Sequence, residues 1–497
     1  MRTYAVLIMI IVACISVSTL VEPSVRPDAA LKNLQLPDVR ITSITRDDAR
    51  GEDGTGKVTY YDVDGVIGGT IRFELLLPDE WNERFVMGGG GGFVGTVQNS
   101  MRTSVKRGYA TAGTDTGHKG PDGSFALDDA LAQVNFGHVA VHRTAEVAKA
   151  IIRVHYGAGP KYSYFLGGSR GGGQAMMESQ RYPEDFDGIV AGAPAFDWTG
   201  FGATFLRITQ AFYPNPSILD KTVLTGEELK RLSDDILLQC DEQDGLEDGI
   251  ISDPPNVEFS LDTITWLSPA QREAIQTIYD GPRNQDGQIS PGFPIGSEIE
   301  WFNWLVGPIS RRSPNPSLGF GFGVDIFKYF VFNDPDWDYS KYTFSTYAKD
   351  TRMTASTLNA VDTDLSDFRE HGGKLIIWHG WADAALSVTT TINYYDELLG
   401  RDPSALDYTR LYLIPGCGHG GGGPGPSNVD WLDVISDWVE HDQAPDTIIA
   451  SKRASRDTRA SRGDRPITRP LSPYPKRTVY KGTGDPYDAG SFESVEP

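Results

Sequence analysis

The chain has 497 residues, well beyond the roughly 100–200 of a single domain, with 39% hydrophobic residues, 23% charged residues and a formal charge of −22. A mean hydropathy of −0.31 argues against a polytopic membrane protein, and the negative charge argues against nucleic acid or anionic lipid as partners, since no lysine- and arginine-rich stripe offsets it before the tail. A soluble globular chain of two domains, or of one core with a large insertion, is expected.

Residues 1–21 read as a signal peptide: Arg2 precedes an apolar stretch over 4–17, Ser16 and Ser18 supply small residues, and Val21-Glu22-Pro23 follows. The stretch is too short to span a membrane. A secreted or periplasmic location follows, with lipid attachment at Cys14 in Ile11-Val12-Ala13-Cys14 as the lesser alternative. Without the leader only Cys240 and Cys417 remain, and two cysteines so far apart in sequence cannot be assumed to pair.

β-rich runs at 58–61 and 70–77, then Arg84-Phe85-Val86-Met87, lead into a glycine run at 88–92. A strand at 109–112 follows. Residues 140–155 carry Val141, Ala145, Val147, Ala148, Ile151 and Ile152 at helical spacing, and 162–166 is again strand-like. This alternation predicts an α/β fold with a mostly parallel sheet. The pattern breaks after Trp198 and resumes at 373–378 and 411–414; the residues between are rich in Trp, Phe, Pro and Gly, with helical pieces at 226–239 and 269–279. The expected organisation is a catalytic domain split into 22–200 and 371–497 by an inserted lid over 201–370. Residues 431–441 form a last amphipathic helix, and the Arg-, Ser- and Pro-rich 451–470 read as an extended loop.

Gly167-Gly168-Ser169-Arg170-Gly171 fits G-x-S-x-G between the strand at 162–166 and a helix-compatible run at 173–180. A nucleophile in such a strained turn leaves no space for neighbouring side chains, hence the glycines. A serine hydroxyl also needs a base, and the base needs a carboxylate to fix its tautomer. Asp383 follows the strand at 375–378 and His419 the strand at 411–414, in the chain order Ser, acid, His that this fold class uses. His379 is a rival base, but it precedes the acid; His142, His155, His371 and His441 read as surface or core residues. The oxyanion donors are expected to be the backbone N–H of Arg170 and that of Gly91 or Gly92. Together these predict an α/β-hydrolase core acting as a serine esterase. A dinucleotide site, from Gly90-Gly91-Gly92-Phe93-Val94-Gly95 with Asp115 downstream, is the weaker reading of the same glycines. Asp241, Asp244, Asp248 and Asp253 crowd a glycine-containing segment that suits a hard cation such as Ca²⁺, or is a solvated acidic turn.

These segments together resemble the tannase and feruloyl esterase family. The matching pieces are Val86-Met87 with the glycine run, Thr114-Asp115-Thr116-Gly117-His118, Asp122-Gly123-Ser124-Phe125-Ala126, and the stretches 180–195, 379–383, 419–426 and 481–489. The resemblance implies hydrolysis of small-molecule esters of aromatic or phenolic acids, of feruloyl, galloyl or terephthalate type, through an acyl-enzyme. It also implies a structural Ca²⁺ in the lid, held by Asp241, Asp244 and Asp248 side chains and the carbonyls of Leu246 and Ile250. In the family pattern a disulfide joins the residue before the nucleophile to the residue after the histidine; here these are Gly168 and Gly420. The partner expected for Cys240 near Asn256 and the tail cysteines at Ser472 and Ser494 are also missing. The triad is thus expected to be held by packing around Gly168 and Gly420, with Cys417 a free thiol. Lid aromatics Trp301, Phe302 and Trp304 are candidates to face the acyl ring. A non-catalytic binding protein and a peptidase on the same fold are the rival classes, and the oligomeric state stays open.

Overall fold

In the computed structural model nine strands form one sheet, and the sequence explains which of them lie inside it. β1 (Val39–Arg50) and β2 (Lys57–Ile67) mix apolar with charged positions and stay partly exposed. β3 (Ile71–Pro78), β4 (Arg84–Gly88), β5 (Ala110–Thr114), β6 (Tyr162–Gly168), β7 (Gly188–Gly192), β8 (Lys374–Gly380) and β9 (Thr409–Ile414) are largely apolar and mostly buried, as strands covered on both faces must be. The order is β1-β2-β3-β5-β4-β6-β7-β8-β9. The β1–β2, β2–β3 and β3–β5 pairings are antiparallel and the rest parallel. The structure describes residues 31, 34–51, 54, 56–307, 315–453 and 466–496. The expected signal peptide, Cys14 and residues 454–465 of the expected tail loop lie outside them.

Helix α1 (Ala140–Tyr156) lays Val141, Ala145, Ala148, Ile151 and Ile152 on one face of the sheet. There α2 (Arg170–Arg181) adds Met176 and Met177, and the helix Val388–Arg401 adds Tyr394, Tyr395 and Leu398. On the other face Leu432, Ile435 and Trp438 of Trp431–His441 pack on Val86, Tyr164, Val190, Ile376 and Tyr412. Between β7 and β8 the chain leaves the sheet and folds around its own aromatic core, which includes Phe205, Phe212, Tyr213, Trp301, Phe320 and Phe327. Its helices Gly226–Cys240 and Pro269–Asp280 begin where Thr225 and Ser268 close capping boxes with Glu228 and Gln271. Among the described residues no helix is long and apolar enough to cross a membrane.

Two elements depart from the sequence reading. β1 was not expected, because its charged residues hide the alternation that β2 completes by pairing. The tail is not only a loop: Ile448–Lys452 pairs with Ile467–Leu471, and Arg477–Tyr480 with Phe492–Val495. Tertiary partners there override a loop-like composition.

The register aligns the ends of the parallel strands. Gly168 lies opposite Gly192, and Gly192 opposite Trp378, which in turn faces Tyr412. Whatever follows β6, β8 and β9 therefore emerges at one edge of the sheet, the edge where sites form in open α/β folds.

Candidate active site

Ser169 is the single residue between β6 and α2, and its backbone sits at φ 59°, ψ −121°. A non-glycine residue there costs about 1–3 kcal/mol and persists only if its surroundings over-determine it. They do: Ser169 N–H donates to the Gly192 carbonyl (2.9 Å), while the Ser169 carbonyl accepts from Ala195 N–H (2.9 Å) and Gly173 N–H (3.0 Å). A Cβ on Gly167 would fall 2.5 Å from the Gly171 backbone, and one on Gly89 would fall 2.6 Å from the Gly171 Cα. The turn closes only because these positions carry no side chain.

The loops after β8 and β9 bring Asp383 and His419 to this serine. His419 Nε2 lies 2.9 Å from Ser169 Oγ and its Nδ1 2.8 Å from Asp383 Oδ2. Asp383 is fully buried; its Oδ1 accepts the Ala385 and Leu386 N–H groups at 2.7 and 2.9 Å. His379 does not approach the serine. Its Nε2 faces two acceptors, Asp383 Oδ2 at 3.2 Å and the Leu386 carbonyl at 3.1 Å, so this nitrogen carries the proton, while Nδ1 lies 2.8 Å from the Thr391 hydroxyl. The rival base of the sequence is thus a second donor to the acid, a role its spacing did not reveal. Burial alone would raise the Asp383 pKa. The His419 charge and the hydrogen bonds from His379 and His419 outweigh it and hold the carboxyl well below its usual range. For His419, burial opposes protonation, but the Asp383 charge and hydrogen bond, with the Glu300 charge, raise its pKa above the ordinary value.

Beside Ser169, the Arg170 N–H opens α2 and has no carbonyl within the helix to meet. Of the two glycines expected to complete an oxyanion hole, Gly91 is turned away: its N–H donates to Gln98 Oε1 at 2.8 Å. Gly92, at φ 57°, lines the cavity with Ser169 and His419. The correction comes from Gln98, a side chain that competes for the amide and left no mark in the glycine pattern. The Arg170 side chain is fully buried away from the serine, donating to the Phe136 and Gly137 carbonyls between the Phe136 and Trp198 rings.

The cavity over Ser169 has a volume of about 80 Å³ and is walled by Trp198, Phe201, Phe205, Trp304, Phe322 and Leu386. Of the three lid aromatics proposed from sequence, only Trp304 belongs to it, with its ring edge-on to His419 at 4.8 Å. Trp301 is fully buried, its indole N–H on Ser297 Oγ, and Phe302 is exposed on the outside. A larger cavity, about 710 Å³, lies between the acidic loop and the tail strands; neither Ser169 nor His419 borders it.

In the acidic loop, Asp241 accepts the Gly249 and Ile250 N–H groups, Asp244 accepts those of Leu246 and Ser252, and Asp248 pairs with Arg469. Asp248 Oδ1 is buried without a partner among the described residues. Burial pushes the Asp244 and Asp248 carboxyls up. A buried, unpaired carboxylate oxygen fits a hard cation, although among the described residues no three His, Cys, Asp or Glu side chains converge as a metal cluster. Cys240 and Cys417 are buried and free. Asp115 is consumed by Arg72 and the Gly117 N–H, which leaves the weaker dinucleotide reading without its ribose carboxylate.

The fold is that of the α/β-hydrolases. An esterase from Aspergillus oryzae superposes with a TM-score of 0.81 at 27% identity, covering 95% of this chain and 99% of that one. A tannin acyl hydrolase from Aspergillus niger shares the fold at TM-score 0.77 and 21% identity, covering 95% of both chains. A family model described as tannase and feruloyl esterase matches residues 57–495. Relatives in sequence include a mono(2-hydroxyethyl) terephthalate hydrolase of Piscinibacter sakaiensis, 31% identical over 86% of this chain and 82% of the relative. A probable feruloyl esterase B-1 of Aspergillus fumigatus is 32% identical over 85% and 82%. The chain belongs to the tannase and feruloyl esterase family and is a carboxylic ester hydrolase.

Proposed function

We propose that this enzyme hydrolyses esters of aromatic acids through a covalent acyl-enzyme on Ser169. His419 Nε2 takes the serine proton as Oγ attacks the ester carbonyl and returns it to the departing alcohol; Asp383 holds the His419 tautomer and stabilises the imidazolium. The Arg170 and Gly92 amides receive the oxyanion. The observation that carries this reading is the unbroken hydrogen-bond line Asp383–His419–Ser169 beneath an aromatic cavity. Among the described residues that cavity offers few polar groups: the reacting centre, the Arg170 amide and the indole N–H groups of Trp198 and Trp304, that of Trp198 buried without a partner. A ring hydroxyl buried there without a partner would cost about 1–3 kcal/mol. A feruloyl acyl group, with one ring hydroxyl, therefore suits it better than a galloyl ring with three. It also suits it better than a terephthalate-type acyl group, whose ring carboxylate would need a counter-charge that the lining, with the Arg170 guanidinium turned to Phe136, does not supply among the described residues. Asp241, Asp244 and Asp248, with the Leu246 and Ile250 carbonyls, would hold a Ca²⁺ whose role is to neutralise the acidic loop. The N-terminal leader supports export.

Turnover of methyl ferulate, methyl gallate and a terephthalate monoester side by side, with fluorophosphonate labelling of wild type and S169A, tests the reading. Labelling confined to Ser169, and methyl ferulate favoured over methyl gallate by tenfold or more in kcat/KM, is expected; each unpaired hydroxyl contributes on this scale. An intact wild-type enzyme that neither labels nor turns over any of the three would sink the mechanism.

A further inference from the structure

Glu300, at the end of the short turn Glu298–Glu300 above the sheet edge, reaches down into the loops that carry Asp383 and His419. Its Oε2 accepts the His419 backbone N–H at 2.7 Å, and the Ala384 N–H, next to Asp383, also hydrogen-bonds to the carboxylate. A Cβ on Gly418 would fall 2.1 Å from Glu300 Oε1, and one on Gly422 would fall 3.5 Å from it. Gly418 has φ −85° and ψ −173°, a conformation open to any residue. It is the carboxylate's approach, not the backbone, that excludes a side chain there. Around Gly168 and Gly420 the space is open: a Cβ on Gly168 would come no closer than 3.8 Å to the Gly192 carbonyl, and one on Gly420 would meet nothing within 4 Å. The packing expected at those two glycines does not exist among the described residues.

We propose that Glu300 is a positioning residue: it clasps the Asp383 and His419 loops together from above, where no covalent tie joins Gly168 to Gly420, and sets a second negative charge beside the His419 ring. The proposal rests on the reading of Ser169, His419 and Asp383 as the reacting line. Glu300 does not border the cavity over Ser169, so its loss acts on the reacting geometry rather than on substrate binding. The groups facing His419 are Asp383, Glu300, Ser169 and the Trp304 ring. Behind Asp383 stands His379, and the nearby Cys417 thiol, pushed up to about 12 by burial first and then by the Asp383 charge, stays neutral. Arg170 points away toward Phe136.

The test is steady-state kinetics of wild type, E300A and E300Q on 4-nitrophenyl butyrate across pH. E300A is expected to lose roughly 10- to 100-fold in kcat, the scale of a small misplacement of a reacting group, with KM within about twofold. E300Q keeps a carbonyl oxygen for the His419 N–H and is expected to recover kcat to within about threefold of wild type. It should also move the acid limb of kcat/KM to lower pH, because the charge that helps hold the His419 proton is gone. A folded E300A with wild-type kcat would overturn the proposal, and so would an E300Q whose acid limb stays in place. If E300A does not fold, the E300Q profile decides. Failure of wild type to turn over or label at Ser169 would strike the catalytic reading instead, so the two failures are distinguishable.

Discussion

Asp383 accepts hydrogen bonds from two histidine rings and two backbone amides at once, and the charged carboxylate answers all four better than a neutral acid, whose O–H would face a donor. Replacing it with Asn keeps the shape but presents an amide N–H where His419 Nδ1–H must donate, which selects the wrong tautomer. D383N is expected to lower kcat on the order of 10⁴-fold while the protein still folds, checked by kinetics beside circular dichroism. The cysteines give a second prediction. Burial, ahead of neighbouring carboxylates, pushes the Cys240 thiol up to about 11 and the Cys417 thiol up to about 12, and reactivity needs thiolate and access. Both should resist iodoacetamide in the native protein and alkylate fully in guanidinium, read by peptide mass spectrometry; native alkylation of Cys417 would contradict its burial. At this scale the sequence was legible where chemistry demands a residue type in a fixed order, as with Ser169, Asp383 and His419. It was silent on Glu300, on the true role of His379 and on the capture of the Gly91 amide by Gln98. The Glu300 contact joins residues 119 apart in the chain, and the other two, though near in sequence, depend on how a loop folds back on itself, which residue type and spacing do not record.

Strands and helices were legible where their own apolar residues decide them. α1 carries apolar residues at helical spacing, β6, β8 and β9 are near-continuous apolar runs, and all four were expected close to where they lie. β1 and the tail strands, whose partners decide them, were not. The tail strand Ile467–Leu471 shows what such a partner does: Arg469 leaves it to pair with Asp248 of the acidic loop, both side chains 4% exposed, with its guanidinium over the Phe492 ring. Removing one member of a buried ion pair leaves the other charge uncompensated, at about 3–5 kcal/mol. R469M is therefore expected to be destabilised by that amount in urea unfolding; a change below about 1 kcal/mol would show that the pair is dispensable. If the same loop holds Ca²⁺, chelation with EGTA should lower Tm by a few degrees, the scale of about 2–3 kcal/mol of linked binding in a chain this long. The R469M variant should show the larger chelation effect, since the cation is then the loop's remaining counter-charge. An identical Tm with and without chelator in both proteins would remove the metal from the account.

The whole molecule carries a formal charge of −22 and buries several carboxyls whose protonated form burial favours. Burial pushes Glu298 up to about 7, against hydrogen bonds from Tyr279 and Gly296, and Asp325 up to about 6. Glu178, fully buried on α2 itself with Asp185 nearby, is raised as well. A carboxyl whose folded pKa exceeds its unfolded value binds more protons in the native state. Its contribution is present in full below the unfolded pKa, near 4.5 for Glu298, and is lost as pH rises through about 7. For Glu298 the loss is of order 3 kcal/mol, and self-repulsion among the net negative charges adds to it. Carboxyls with lowered pKa, Asp383 and Glu440 among them, act in the opposite sense as pH falls below their unfolded values near 4, and the imidazoles of His118, His138 and His155, held neutral by burial, oppose folding already as pH falls below about 6.5. Stability should therefore climb as pH falls from about 8 to about 6.5 and decline below about 4. With His419 as the proposed base, activity needs it unprotonated, and its pKa is raised, so kcat/KM should fall on acidification while Tm still rises. A thermal-shift series beside a kcat/KM profile on one aryl ester, over the same buffers, would record the two curves crossing. A Tm that increases with pH between about 6.5 and 8 would show that the buried carboxyls titrate as ordinary surface groups.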